Sequence, residues 1–110
     1  MRSAGTAMDS IDDLRALRIA RALGDPTRFV IYRHIIDAGE MRCGDVGVDT
    51  PVQASTVSHH LRVLSEAGLI GSRREGQGVY YRVISASLGG YLRFMRNLER
   101  KGRLHASSPV

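Results

Sequence analysis

The sequence is short of the residues that carry covalent reinforcement or metal chemistry. Cys43 is the single cysteine among 110 residues, so no disulfide can close within one chain and no cysteine cluster can hold a metal. No apolar run approaches membrane-spanning length, and Met1 to Ser10 lacks the apolar core of a secretory signal, so a cytoplasmic protein with no membrane partner is expected. No internal repeat is visible, which excludes a repeat architecture. Negative charge is scarce in one half only. Residues 51–110 hold nine Lys and Arg against three Glu, whereas residues 1–50 hold seven Arg against eight Asp and Glu. The whole chain carries +5 with a pI near 10.1, so its second half points toward a polyanionic partner.

What is present is enough for one domain. An apolar fraction of 43% over 110 residues supports a modest single core and no second one. Residues 1–9 are expected to form a disordered arm, 10–101 the folded domain and 102–110 a flexible tail. The centre of the chain is Ser55-Thr56-Val57-Ser58-His59-His60-Leu61-Arg62-Val63-Leu64-Ser65-Glu66-Ala67-Gly68-Leu69. On a helix, Val57, Leu61 and Leu64 make one apolar stripe, and Ser55, Ser58, His59 and Arg62 make a separate polar one. Those hydroxyls, the imidazole and the guanidinium suit base edges and phosphates in a major groove. Taken alone, the pattern fits an ordinary solvated amphipathic helix equally well. Gly68 is placed to stop the helix in a left-handed conformation.

Upstream, Ser10 to Leu23 has no breaker and spreads apolar residues, Leu14 and Leu17 among them, around much of a helix. One side is expected on the core and another against a second subunit. Gly24-Asp25-Pro26 reads as a C′ glycine, an N-cap and a proline at N1. The next helix runs to about Ala38, with Phe29, Tyr32 and Ile36 on one stripe and Ile31 and Ile35 beside it. His34 on this helix reads as a structural or solvated residue rather than a ligand. Met41 to Val48 reads as a short helix weakened by Gly44 and Gly47, ended by Asp49-Thr50-Pro51. Two short helices with the polar stripe on the second outline a helix-turn-helix.

Downstream, Leu69–Arg74 and Val79–Ile84 are strand candidates around Glu75-Gly76-Gln77-Gly78, whose glycines supply positive φ for a hairpin tip. A basic hairpin beside a reading helix is a wing, and Arg73, Arg74 and Gln77 would reach the backbone or minor groove. The last helix, about Ala86 to Lys101, carries Leu88, Tyr91, Leu92, Met95 and Leu98 at heptad-like spacing, which makes it either core or a dimer seam. The expected fold is mainly α with a small β-hairpin: a winged helix-turn-helix of five helices and a two-stranded wing.

Three motifs in order carry a family resemblance: Ala22-Leu23-Gly24-Asp25-Pro26-Thr27-Arg28, then Ser55 to Leu61 continuing through Glu66-Ala67-Gly68-Leu69-Ile70, then Arg74-Glu75-Gly76 with Val79-Tyr80-Tyr81-Arg82. Together they resemble the ArsR/SmtB family of winged helix-turn-helix repressors over roughly residues 12 to 100. The resemblance implies a bacterial homodimer joined through its first and last helices. Its two recognition helices would enter successive major grooves of a partly palindromic double-stranded DNA operator, with repression relieved by an inducer. By position it makes Ser55, Thr56, Ser58, His59 and Arg62 DNA-facing, with Arg74 and Gln77 on the wing. Gln53 and Ala54 replace the family's Ser and Gln near the start of the recognition helix, and Gln53 and the wing's Arg73 complete the DNA-binding candidates. His60 is expected to pack inward.

Departures from the family narrow the signal. The run Glu40-Met41-Arg42-Cys43-Gly44-Asp45-Val46 puts Arg42 and Gly44 where arsenite- and soft-metal-sensing members carry paired cysteines, and Cys43 between them. One thiolate beside an arginine is a poor soft-metal site. The family's other site needs Asp and His on the last helix, and residues 86–101 contain neither. No metal or cofactor is therefore expected, and the inducer is unidentified. Cys43 beside Arg42 leaves a thiol-redox sensor as an alternative, set against the favoured reading of a small buried hydrophobe. A metal-responsive repressor with a non-standard site ranks below both. An enzyme is not expected, because Ser58 and His59 point in different directions on a helix and no third orienting group is identifiable. A pure protein-interaction module fits poorly with Arg62, Arg73, Arg74 and Arg82 grouped where a duplex would lie.

Overall fold

The computed structural model describes residues 11–48 and 52–105. The expected arm at 1–9, the Asp49-Thr50-Pro51 break and the end of the expected tail at 106–110 lie outside the described residues. Among those described, four α-helices and three strands follow in the order α1 (Asp13–Leu23), α2 (Pro26–Ala38), β1 (Glu40–Arg42), α3 (Ala54–Glu66), β2 (Ile70–Glu75), β3 (Gly78–Val83) and α4 (Ser85–His105).

The count corrects the sequence expectation of five helices and a two-stranded wing. The stretch read as a third helix from Met41 is instead β1 followed by a single 3-10 turn at Cys43–Asp45. Gly39 turns the chain out of α2 at φ +80, and β1 then pairs antiparallel with β3, Glu40 opposite Arg82 and Arg42 opposite Tyr80. Gly44 and Gly47 make a helix expensive here, while an open sheet edge offers the backbone hydrogen bonds at once. The sheet order is β1-β3-β2.

Helix ends follow local chemistry. Asp12 and Asp25 cap α1 and α2, each accepting from a backbone N–H three residues on, and Pro26 occupies N1 of α2. Gly24 ends α1 differently from the expected left-handed C′ glycine. It sits at φ −81, and an added Cβ would lie 3.3 Å from the Ala20 carbonyl. Close approach of backbone, and not positive φ, asks for glycine there.

The core draws Ile19 and Ala22 from α1, Ile31, Tyr32 and Ile35 from α2, Val57, Leu61 and Leu64 from α3, and Val46, Leu69 and Ile70 from the connections and sheet. Each fully buried Ile or Leu contributes about 2 kcal/mol through lost apolar exposure. The face of α2 is rotated from the expected one, with Phe29 and Ile36 exposed while Ile31 and Ile35 are sealed. Apolar residues all round α2 gave periodicity no way to choose between the two stripes. Tyr32 places its hydroxyl in this core with no hydrogen-bond partner among the described residues, and burial raises its pKa. Tyr32→Phe is expected to raise the unfolding free energy by about 1 kcal/mol, because it removes a desolvated polar group and keeps the ring. A urea midpoint equal to or below wild type would contradict that.

The last helix extends to His105, past the expected Lys101. Its 21 residues span about 31 Å, yet only Ser87 and Gly90 on it are buried. The radius of gyration is 16.6 Å, against about 13 Å for a compact chain of this size. The helix therefore projects from the body.

Candidate nucleic-acid interface

Two ends and one junction fix α3. Its C-terminus closes in a Schellman arrangement: Gly68 at φ +79, the Leu69 N–H donating to the Leu64 carbonyl and the Gly68 N–H to the Ser65 carbonyl, both at 3.0 Å. The N-cap is Gln53, which contributes its carbonyl to the Thr56 and Val57 N–H groups but no side-chain cap. Val57, His60, Leu61 and Leu64 are buried, whereas Ser55, Thr56, Ser58, His59 and Arg62 are exposed, as is Gln53. One helix thus gives its apolar face to the core and keeps a hydroxyl, imidazole and guanidinium face in solvent.

Behind that face lies a polar junction. The Arg28 guanidinium donates through Nε to the Ala22 carbonyl at 2.7 Å and through Nη2 to the Arg21 carbonyl at 3.2 Å, satisfying two carbonyls at the end of α1. Its Nη1 meets Nδ1 of His60 at 3.1 Å. Because an arginine nitrogen can only donate, that ring nitrogen must accept, which fixes His60 as the neutral Nε2–H tautomer. Nε2 lies 3.9 Å from Oδ2 of Asp25. Burial pushes the His60 pKa below its ordinary value, Asp25 pulls it back, and the Arg28 and His59 charges lower it further. The Arg28 backbone N–H holds the Asp25 carboxyl below its usual range, burial opposing and His60 adding to the effect. One arginine and one histidine therefore tie α3 to the α1–α2 corner. Sequence periodicity did not single out Arg28 or Asp25 for this role. The signal available was their place in Gly24-Asp25-Pro26-Thr27-Arg28.

The wing is a tight hairpin. Its two turn residues are Gly76 and Gln77, and only Gly76 has positive φ, +60, as expected for the first central position of a II′ turn. Gly78 is needed for space instead: a Cβ there would meet the Tyr80 ring at 3.0 Å. Strand alternation separates the two wing arginines. Arg73 crosses the sheet to Glu40, Nε to Oε2 at 2.8 Å and Nη2 to Oε1 at 2.9 Å. It also pairs with Glu75 and stacks 4.7 Å above the centroid of the Tyr80 ring. Its charge is engaged within the sheet. Arg74 and Gln77 are exposed, and no ion pair ties Arg74 down among the described residues.

The remaining candidates divide as follows. Leu14 and Leu17 on α1 are 55% and 48% exposed, and Leu92, Met95 and Leu98 on α4 are 56%, 42% and 47% exposed. A groove between the two helices is lined by Leu17, Ala20, Phe94, Met95 and Leu98. Leu88 is half-buried, and Tyr91 packs against the core of its own chain. Cys43 is half-buried at the core edge, next to the Tyr81 hydroxyl. No described helix is long and apolar enough to cross a membrane.

Residues 23–73 match a family model described as a helix-turn-helix domain. The transcriptional repressor SdpR of Bacillus subtilis (strain 168) is 32% identical over 84 residues, covering 76% of this chain and 92% of that protein. A solved structure described as a possible transcriptional regulator for arsenical resistance is 28% identical with a TM-score of 0.65, covering 82% of this chain and 95% of the other. An ArsR-like transcriptional regulator from Rhodococcus sp. RHA1 shares the fold at a TM-score of 0.67 and 23% identity, covering 86% and 96% of the two chains.

Proposed function

Because the chain belongs to the ArsR/SmtB family of winged helix-turn-helix transcriptional regulators, we propose that it is a homodimeric repressor that grips a partly palindromic operator with two copies of α3. The observation that carries this reading is the exposed face of Ser55, Thr56, Ser58, His59 and Arg62 on a helix locked from behind. Serine and threonine hydroxyls suit phosphates and base edges alike, and the Arg62 fork suits a guanine edge or a phosphate. Gln53 stands at the start of the helix with its side chain uncommitted to a cap. On the wing, Arg74 and Gln77 reach the flanking backbone, and Arg73 serves by holding β1 and β2 together beneath them.

The dimer forms through α1 and α4, burying Leu14, Leu17, Leu92, Met95 and Leu98, with Leu88 and Tyr91 at the edge of the seam. The exposed leucines and the projecting α4 support this assignment. The repressor works in the cytoplasm by binding alone, and an inducer of unidentified chemistry releases it from DNA.

A salt titration on duplex DNA tests the reading. Log affinity should fall linearly with log salt at about −0.9 per neutralised phosphate. An affinity independent of salt, or no complex at low ionic strength, would overturn it.

A further inference from the structure

We propose that Arg28 and His60 are positioning residues for operator binding, a clamp that sets the angle of α3 and opens when His60 takes up a proton. The inference rests on the operator-binding reading above. His60 lies away from the solvent-facing side of α3, 7% exposed and grouped with the helix's buried residues Val57, Leu61 and Leu64. The clamp is nevertheless the polar link that joins α3 to the end of α1 and the start of α2.

The geometry makes the link conditional on charge. The Arg28–His60 hydrogen bond needs a lone pair on Nδ1, and protonation replaces that lone pair with an N–H pointed at another N–H. Arg28 cannot yield the proton, and its other two nitrogens are held by the Ala22 and Arg21 carbonyls. The charged ring must therefore turn away, and α3 loses its tie. The charged groups around His60 are Asp25 from the α1–α2 corner, Arg28 from α2 and His59 from α3 itself. Asp25 alone favours the imidazolium, across 3.9 Å.

The sign follows. His60 holds its proton less tightly in the clamped protein than a free imidazole does, so acid favours the unclamped state. The clamp is complete above about pH 6.5 and is lost as pH falls below it.

The test compares wild type with His60→Asn, whose amide oxygen can accept from Arg28 near the Nδ1 position but does not titrate. Affinity for a duplex selected from random sequence by the wild-type protein is measured at fixed salt one unit above about pH 6.5 and again at an acidic pH where imidazole spectra show His60 protonated. Both proteins keep His59 on the DNA-facing side of α3, so the direct contacts of that face are common to the two. Wild type should lose up to about tenfold more affinity per protomer than His60→Asn for each unit that the acidic pH lies below the His60 midpoint, and equal losses would overturn the proposal. Nitrogen-15 imidazole spectra of free wild type give an independent arm. His60 should be the Nε2–H tautomer and titrate below about 6.5, with α3 backbone signals following it. Titration at or above that value, or an α3 indifferent to it, would sink the clamp. Failure to bind any duplex at either pH would count against the operator reading alone, and the imidazole spectra would still decide the clamp.

Discussion

Leu98→Glu, combined with Leu92→Glu, is expected to give a folded protomer that sediments as a monomer and binds operator about 10²- to 10⁴-fold more weakly than wild type. Both side chains are about half exposed on α4 in the isolated protomer, so a charge in place of either disturbs no core. In a dimer the same positions would lie in the apolar seam with Leu14, Leu17 and Met95, where an unpaired carboxylate is strongly disfavoured. The size of the loss comes from linkage. Two recognition helices held by one seam make binding of the second half-site intramolecular, and a monomer forfeits that effective concentration. Sedimentation and gel shifts on one preparation decide the matter. A wild-type monomer, or a double-Glu variant that remains dimeric, would remove the seam from α4.

The second large effect separates Arg62 and Arg74 from Arg73. Arg62→Ala and Arg74→Ala should each lower operator affinity, about tenfold or more for Arg62 if its fork reads a base edge. Each phosphate contact removed should also reduce the salt slope by about one. The two losses should combine nearly multiplicatively if the sites act independently. Arg73→Ala should behave differently. Its guanidinium already faces Glu40, Glu75 and the Tyr80 ring, so its loss should loosen the sheet and lower the melting temperature while leaving the salt slope unchanged. Unchanged affinity in both Arg62→Ala and Arg74→Ala would count against the assigned face. A reduced salt slope in Arg73→Ala would return that residue to the DNA.

Several features of the fold could be read from residues close together in the chain. Asp25-Pro26 announced the start of α2, Gly68 the end of α3, and the spacing of Val57, Leu61 and Leu64 the inward face of α3. These are short-range effects: a cap bonds its own helix, a left-handed residue acts where it stands, and helical period is fixed by backbone geometry. Features that depended on distant partners were hidden. Nothing in Met41 to Val48 says that β3 will offer it a strand edge. In α2, nothing separates the Ile31–Ile35 face from the Phe29–Ile36 face until α1, α3 and the sheet are assembled around it.

By itself, then, the sequence determined the placing of α1, α2, α3 and α4 and of the β2–β3 hairpin, the polar face of α3 and the family to which those motifs point, because each is encoded within a few turns of chain. Only the tertiary structure decided that Arg73 belongs to Glu40, 33 residues away, and that Arg28 reaches His60 across 32. Both pairings depend on the directions of long, flexible guanidinium side chains. Those directions are settled by what the folded chain brings within about 3 Å, and no local pattern records them.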